Sequence, residues 1–170
     1  MFDFFSKKKI NSALECNTRT HIFHNLNDMK KILIFFSYQD WSEIQQISQD
    51  LKDKGKEVLL WTTQLKKGED VQTKLPSDVR VLSHKDISKW QGLSSFVVEE
   101  FKALSYDTLL DLTTQDDKSL LYLLANNSAE FCVGIKEQDI KIYDFIVLKE
   151  EGAKVFETYN QIKFYLNNIR

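Results

Sequence analysis

Residues 106–135, YDTLLDLTTQDDKSLLYLLANNSAEFCVGI, constrain the fold more than any other part of the chain. An apolar strand pattern at residues 108–112 contains an aspartate near its end, and a leucine-rich helical pattern follows. A second apolar strand pattern at residues 130–133 runs into a glycine. Strand, helix and strand in this order form a βαβ unit, in which the two strands are parallel and the crossover is right-handed. The stretch therefore predicts an α/β fold.

The same alternation extends over most of the chain. Residues 31–36 (KILIFF) and 57–61 (EVLLW) read as buried strands on either side of a helix that carries Trp41, Ile44, Ile47 and Leu51. Further strands are predicted at residues 79–82 and 144–148, and further helices at 93–104 and 153–168. We predict a three-layer Rossmann-like sandwich with a mainly parallel sheet of about six strands. Residues 1–30 are expected to form an N-terminal helical extension, and residues 31–170 a single domain.

Composition and charge narrow the classes of partner. The net charge of −2 provides no strong electrostatic attraction to nucleic acid, and no apolar stretch approaches the length needed to span a bilayer. The first residues, MFDFFSKKK, lack the pattern of a signal peptide, and the two cysteines form no CxxC motif, so a cytoplasmic protein is expected. The aromatic cluster Phe2, Phe4 and Phe5 is predicted to pack on the domain; weak contact with a membrane surface is the alternative.

The candidate binding residues follow from the sheet. Ligands of open parallel sheets bind beyond the carboxyl ends of the strands, where the strand order reverses, and this point is predicted between the strands at 31–36 and 108–112. The hydroxyl and carboxylate side chains expected there are Ser37, Tyr38, Asp40, Asp111, Thr113 and Thr114. They are candidates for binding a sugar or another small polar ligand. The alternative, which the sequence favours, is that Ser37 and Asp40 cap the first helix of the domain and that Asp111 accepts loop amides.

The glycines argue against a standard nucleotide cofactor. Only five are present, and none lies in the turn FSYQDW after the first strand of the domain. Dinucleotide and P-loop sites need glycine in that turn, because the backbone must approach the phosphates closely. No cofactor is therefore predicted.

No catalytic or metal-binding set stands out. His21 and His24 are three residues apart and could share a helix face, but no third ligand is near in sequence, so no metal site is predicted. Asp116 and Asp117 form a carboxylate pair at a helix start, where a cap is the usual role. No catalytic residue is assigned.

The whole chain resembles an uncharacterised α/β domain family of the Bacteroidetes, through KILIFFSYQDW, DISKWQG, YDTLLDLT, LLANNSAEFCVGI and FETYNQIKFYLNNI. That resemblance implies an α/β fold with no assigned activity. Residues 106–135 also resemble the N-terminal half of heptosyltransferase-like glycosyltransferases. The matching positions are Tyr106, Asp107, Asp111, Ala129 and Gly134. Those enzymes need a second Rossmann-like domain for the nucleotide-sugar donor, so this likeness implies a degenerate half domain that binds a sugar or nucleotide.

The first half of the chain is similar to a Toll/interleukin-receptor (TIR) domain in FFSYQD, LKKGED and the sequence Ser88-Lys89-Trp90. Some TIR domains hydrolyse NAD with a glutamate a few residues after that tryptophan. Here the nearest acids are Glu99 and Glu100, nine and ten positions on. Weighing these resemblances, we expect a non-catalytic domain that binds a partner protein or a small polar ligand. A glycosyltransferase-like half domain and a TIR-like NAD hydrolase are the alternatives.

Overall fold

The computed structural model describes residues 2–64, 75–88 and 92–169, with side chains described from residue 7 onward in these ranges except at residue 88. The strands are β1 Lys31–Ser37, β2 Glu57–Gln64, β3 Val79–Ser83, β4 Ile87–Ser88, β5 Gly92–Leu93, β6 Thr108–Asp111, β7 Phe131–Gly134 and β8 Phe145–Ile146. The helices are α1 Phe2–Cys16, α2 Trp41–Asp53, α3 Ser95–Lys102, α4 Lys118–Ala125 and α5 Val155–Asn168.

The main sheet has six strands, all parallel, in the order β3-β2-β1-β6-β7-β8. β1 lies in the middle and pairs with β2 on one side and with β6 on the other. The predicted Rossmann-like α/β class is confirmed, and so is the predicted reversal of strand order beside β1. The carboxyl ends of β1 and β6 therefore border the same crevice.

The core consists of two apolar layers, one on each face of the sheet. Alternate residues of β1 point into opposite layers: Ile32, Ile34 and Phe36 into one, Leu33 and Phe35 into the other. Helices α2 and α5 pack on the first layer, and α3 and α4 pack on the second. Because both faces are covered, the central strands are continuous apolar runs without polar alternation.

One small strand pair was not predicted from the sequence, and several strand and helix boundaries differ from the predicted ones. β4 and β5 pair as an antiparallel hairpin in which Gly92 has a φ of 76°. Unlike β8, which lies in the apolar run at residues 145–148, β4 and β5 lie in no apolar run, so the pattern gave no signal for them. β2 continues to Gln64, three residues beyond the predicted end, and this extension carries a hydroxyl to the candidate site described below.

The N-terminal segment is helical only as far as Cys16. Helix α1 packs against α4, and residues 17–25 then run along the start of β7 without regular structure. The amide of Ile22 donates a hydrogen bond to the carbonyl of Glu130, and the side chain of Arg19 reaches Ala129 and Asp144. His21 and His24 lie in this irregular segment, so they do not share a helix face. The division at residue 30 stays a prediction.

Within the described ranges, no helix combines the length and the apolar character required to cross a bilayer. The side chains of Phe2, Phe4 and Phe5 lie outside the described residues, as do the LKKGED loop and Trp90.

Candidate ligand-binding cleft

A cleft of about 180 Å³ opens beyond the carboxyl ends of β1 and β6. It is lined by Phe36, Ser37, Tyr38, Gln39, Thr63, Thr113, Gln115, Asp116, Asp117 and Leu120. Three of the six predicted binding residues, Ser37, Tyr38 and Thr113, are among them. The other three, Asp40, Asp111 and Thr114, do not line the cleft but bond to residues that shape it.

Thr114 joins the loop after β6 to the turn after β1. Its amide donates a hydrogen bond to the Ser37 hydroxyl at 3.1 Å, and its own hydroxyl donates to the Asp40 carboxylate at 2.8 Å. Neither Ser37 nor Asp40 makes a side-chain cap to the helical turns that follow. The expected capping role of these two residues is therefore wrong. They hold two loops together across the crevice.

Asp111 is buried beneath the cleft with 4% of its surface exposed. One carboxylate oxygen accepts hydrogen bonds from the amide and hydroxyl of Thr113, at 3.1 and 2.6 Å. The other accepts the phenol of Tyr143. The expectation that Asp111 accepts a loop amide is confirmed, and the hydrogen bonds to both of its oxygens fix the start of the loop that borders the cleft.

Tyr143 supplies the hydrogen bond that the buried carboxylate needs. Burial, and then the adjacent charge of Asp111, raise the pKa of the Tyr143 phenol, so the phenol keeps its proton and donates. The ring lies so close to Gly134 that a Cβ there would come within 2.5 Å of the ring atoms. Tyr143 was not recognised as a site residue, because only the tertiary fold brings residue 143 beside residue 111.

Lys136 contacts the loop that borders the cleft. Its ammonium donates to the Thr113 hydroxyl at 2.7 Å and to the Gln115 carbonyl at 3.1 Å, and it lies 3.7 Å from the carboxylate of Asp116. The Thr113 hydroxyl thus donates to Asp111 while accepting from Lys136. The charge of Lys136 is directed into the loop, and Lys136 does not line the cleft.

Asp117 and Asp116 behave differently although they are neighbours. One oxygen of Asp117 accepts the Leu120 amide at 3.0 Å, which caps α4 as predicted, and the other accepts the Thr63 hydroxyl at 2.6 Å. Asp116 keeps 92% of its side chain exposed at the mouth of the cleft. Only Asp116 of this pair therefore retains carboxylate oxygens that face solvent.

Two carboxamides in the cleft wall keep their hydrogen-bonding capacity. In the parts of the chain that the structure describes, the side-chain amides of Gln39 and Gln115 make no hydrogen bond, although both residues line the cleft. Each offers two N–H donors and one acceptor oxygen. Both residues follow closely on a predicted strand end, which is a usable sequence signal, but only hydroxyls and carboxylates were predicted to bind a ligand there.

The turn after β1 does not form a phosphate-binding concavity. In the described ranges, positive φ angles occur only at Gly55, Gly92 and Gly152, and none of these residues lies in the turn. Amide nests that cradle phosphates depend on left-handed backbone or on glycine. The turn after β1 thus contains no glycine, and its backbone contains no residue with a positive φ.

The glutamates considered for NAD hydrolysis do not line this cleft. Glu100 makes a two-point ion pair with Arg80, at 2.8 and 3.0 Å, and that pairing raises the pKa of the guanidinium. Glu99 borders a separate hollow beside Lys9 and Lys102.

His21 and His24 have different partners. His21 forms a hydrogen bond with Asp144 at 2.7 Å, and His24 lies 3.6 Å from Glu130.

The sequence profile of the Family of unknown function (DUF6913) matches residues 3–169. The chain belongs to this family. The expected membership of an uncharacterised family is thereby confirmed, whereas the match carries no information about a bacterial group or a glycosyltransferase. No curated protein matches the chain.

The five residues on which the sequence-based resemblance to glycosyltransferases is founded all have structural contacts here. Asp107 accepts the amides of Lys30 and Lys31 at 2.9 and 2.8 Å, which fixes the entry to β1. The Tyr106 hydroxyl accepts the Ser128 amide at 3.0 Å. Ala129 is fully buried, Asp111 holds the loop after β6, and Gly134 admits the Tyr143 ring. Each of these five residues therefore has a structural role in the fold.

Proposed function

We propose that this domain binds a small, uncharged, polar ligand, such as a sugar, in the cleft between β1 and β6. The observation that carries the proposal is a cleft at the reversal of strand order whose lining includes two exposed glutamines, Gln39 and Gln115, without a side-chain hydrogen bond in the described parts of the chain. Polar groups that converge on a concave site without bonding one another are typical of ligand recognition. Amide side chains supply donors and acceptors together, which suits hydroxyl groups that also do both.

The charge of the lining favours a neutral ligand over a phosphate. Asp116 and Asp117 are the charged residues in the described wall, and both are acidic. A phosphate would meet two carboxylates and no backbone amide concavity, while the neighbouring ammonium of Lys136 is directed into the loop, so repulsion opposes phosphate binding. A neutral polyol avoids both costs.

The size of the cleft favours a small molecule. The cleft has a volume of about 180 Å³. That space suits a single sugar ring and is smaller than the usual range for a drug-sized ligand, about 300–1,000 Å³. The hydrogen bonds to both Asp111 oxygens fix the Thr113 wall of this space, so little reorganisation is needed on binding.

The proposal is for binding without catalysis. The buried carboxylate of Asp111 is used in holding the loop, and Glu100 is paired with Arg80, so neither has the position of a group acting on a bound ligand. A sugar-binding half domain related to glycosyltransferases is compatible with this cleft. NAD hydrolysis has no support from the described geometry, and loss of NAD during incubation with the purified protein would overturn the non-catalytic proposal.

The test is titration of the 15N-labelled protein with a panel of neutral monosaccharides and, separately, with inorganic phosphate. We expect saturable shifts of the Gln39 and Gln115 side-chain amide signals with at least one sugar, and none with phosphate. Replacement of Gln115 by alanine should weaken sugar binding about fivefold to tenfold, because one good hydrogen bond is lost.

The matched control is Gln161→Ala. Gln161 is also an exposed glutamine, but it lies on α5 away from the cleft lining, so its loss should leave binding unchanged. If no sugar in the panel shifts these signals, or if both glutamine variants weaken binding equally, the proposed site is wrong.

The cytoplasmic location also stays part of the proposal. It is supported by two free cysteines in the described residues, one exposed at Cys16 and one buried at Cys132. Mass spectrometry of the protein from cytoplasmic extract should show both thiols reduced.

A further inference from the structure

A second hollow of about 330 Å³ adjoins the cleft, and the two share Asp116 and Asp117 in their walls. The hollow lies between helix α1, the start of α4 and the segment after β7. Its lining is Lys7, Ile10, Asp116, Asp117, Lys118, Leu121, Gln138, Asp139 and Ile140. The pair Asp116-Asp117 therefore separates a smaller space from a larger one.

The two spaces differ in chemistry. Ser37, Tyr38, Thr63 and Thr113 give the smaller cleft a wall rich in hydroxyls. The larger hollow has an apolar set contributed by three separate segments, namely Ile10, Leu121 and Ile140. Ile10 is buried, whereas Leu121 and Ile140 keep part of their surface exposed. Partly exposed apolar surface beside a polar cleft is a place where a ligand's apolar group gains free energy by leaving water.

We propose that the natural ligand is a neutral sugar that carries an apolar group. The sugar occupies the hydroxyl-lined cleft, and the apolar group lies on Ile10, Leu121 and Ile140. This inference rests on the proposed function and specifies its ligand class. Nucleosides without phosphate and aryl glycosides share this chemistry, and they are the two sources to be distinguished.

The acidic boundary adds a constraint on the ligand. Asp116 is exposed at the junction of the two spaces, so the linkage between sugar and apolar group passes close to a carboxylate. The lysines of the hollow, Lys7 and Lys118, do not line the cleft, whereas Asp116 and Asp117 line both spaces. A phosphate on a sugar in the cleft would therefore meet carboxylates and be repelled, whereas a plain glycosidic bond would not. The helix α1, which provides Lys7 and Ile10, is thereby part of the binding site and not only a covering element.

The experiment is calorimetric titration of the wild-type full chain with four pairs of probes. These are ribose and adenosine, ribose and uridine, glucose and phenyl glucoside, and adenosine and adenosine monophosphate. We expect at least one of adenosine, uridine and phenyl glucoside to bind about tenfold or more tightly than its parent sugar, and adenosine monophosphate to bind more weakly than adenosine. The pair that shows the gain identifies the source of the ligand.

A substitution of Leu121 tests where the apolar group of the ligand binds. Leu121→Gln should reduce the affinity for the favoured glycoside to near that of the bare sugar, while sugar affinity remains within about twofold of wild type. Leu148→Gln is the matched control, because Leu148 is half exposed and lines neither space. Comparison of the probes on the wild-type protein does not depend on whether either variant folds.

The outcomes separate this inference from the proposed function. Sugar binding with no gain from the apolar group overturns the inference and leaves the proposed function standing. Binding of neither sugars nor glycosides overturns both. Tighter binding of adenosine monophosphate than of adenosine overturns the assignment of a ligand without phosphate.

Discussion

The phenol of Tyr143 donates a hydrogen bond to the buried carboxylate of Asp111, which lies 32 positions earlier in the chain. Asp111 ends β6, and Tyr143 lies just before β8, so this bond joins the segment after β7 to the central crevice. The carboxylate of Asp111 also accepts hydrogen bonds from the amide and the hydroxyl of Thr113. The cleft therefore depends on a residue that does not line it.

Replacing Tyr143 by phenylalanine should destabilise the fold. The change removes one hydrogen bond and leaves a carboxylate oxygen of Asp111 buried without that donor. We expect a loss of about 1–3 kcal/mol in the free energy of unfolding, measured by urea denaturation. Tyr165→Phe is the control, because Tyr165 is half exposed, and its effect should remain within about 0.5 kcal/mol. Equal effects of the two changes would contradict the role given to Tyr143.

Gly134→Ala should lower the stability of the fold, although the backbone at Gly134 is not left-handed. The added Cβ would lie 2.5 Å from atoms of the Tyr143 ring, and a ring in a packed core cannot easily move. We expect destabilisation of about 1–3 kcal/mol from overpacking. A double-mutant cycle with Tyr143→Leu provides the check: the cost of the Gly134→Ala change should fall when the ring is absent. Strictly additive costs would show that the clash is not with Tyr143.

Arg19 should be the residue of the N-terminal segment on which stability depends most. Its side chain is 6% exposed and makes a two-point ion pair with Asp144, at 2.8 and 3.0 Å. Arg19→Ala leaves Asp144 without its guanidinium partner, and we expect a loss of about 3 kcal/mol in chemical denaturation. Lys31→Ala is the control, since the Lys31–Glu57 pair is exposed and spans 3.7 Å. That change should cost about 0–1 kcal/mol.

Acid should weaken the contact between α2 and α5 through Asp50. Partial burial by itself raises the pKa of this carboxyl, but hydrogen bonds from Tyr159 and two lysines lower it to about 2. The lysines are Lys54 and Lys163. Because the folded pKa lies below the unfolded value near 3.8, the stabilisation is complete above about pH 4 and is lost as the pH falls toward about 2.

The test compares wild type with Asp50→Asn over this pH range. After discounting for solvent screening, we expect wild type to lose about 1–2 kcal/mol more stability than the variant between about pH 4 and about pH 2. The measurement is urea denaturation at fixed ionic strength. Parallel pH profiles for the two proteins would refute the contribution of Asp50.

Local patterns predicted the central strands well and the lining of the cleft only partly. Ile32 to Phe36 form an apolar run that is recognisable because both faces of β1 are covered. Gln39 and Gln115 were passed over because a glutamine after a strand has no distinctive pattern. These two glutamines line the same cleft only because Thr114 joins the loop after β6 to the turn after β1.

The sequence alone determined the α/β class, the central place of β1 and the absence of a glycine phosphate turn. These properties depend on residue type and on periods of a few residues, which a linear chain displays directly. The tertiary structure alone decided that Tyr143 bonds Asp111, that Arg19 is buried against Asp144, and that Asp40 joins loops and does not cap a helix. Hydrogen bonds between residues distant in sequence depend on angles and distances that only the packed sheet defines.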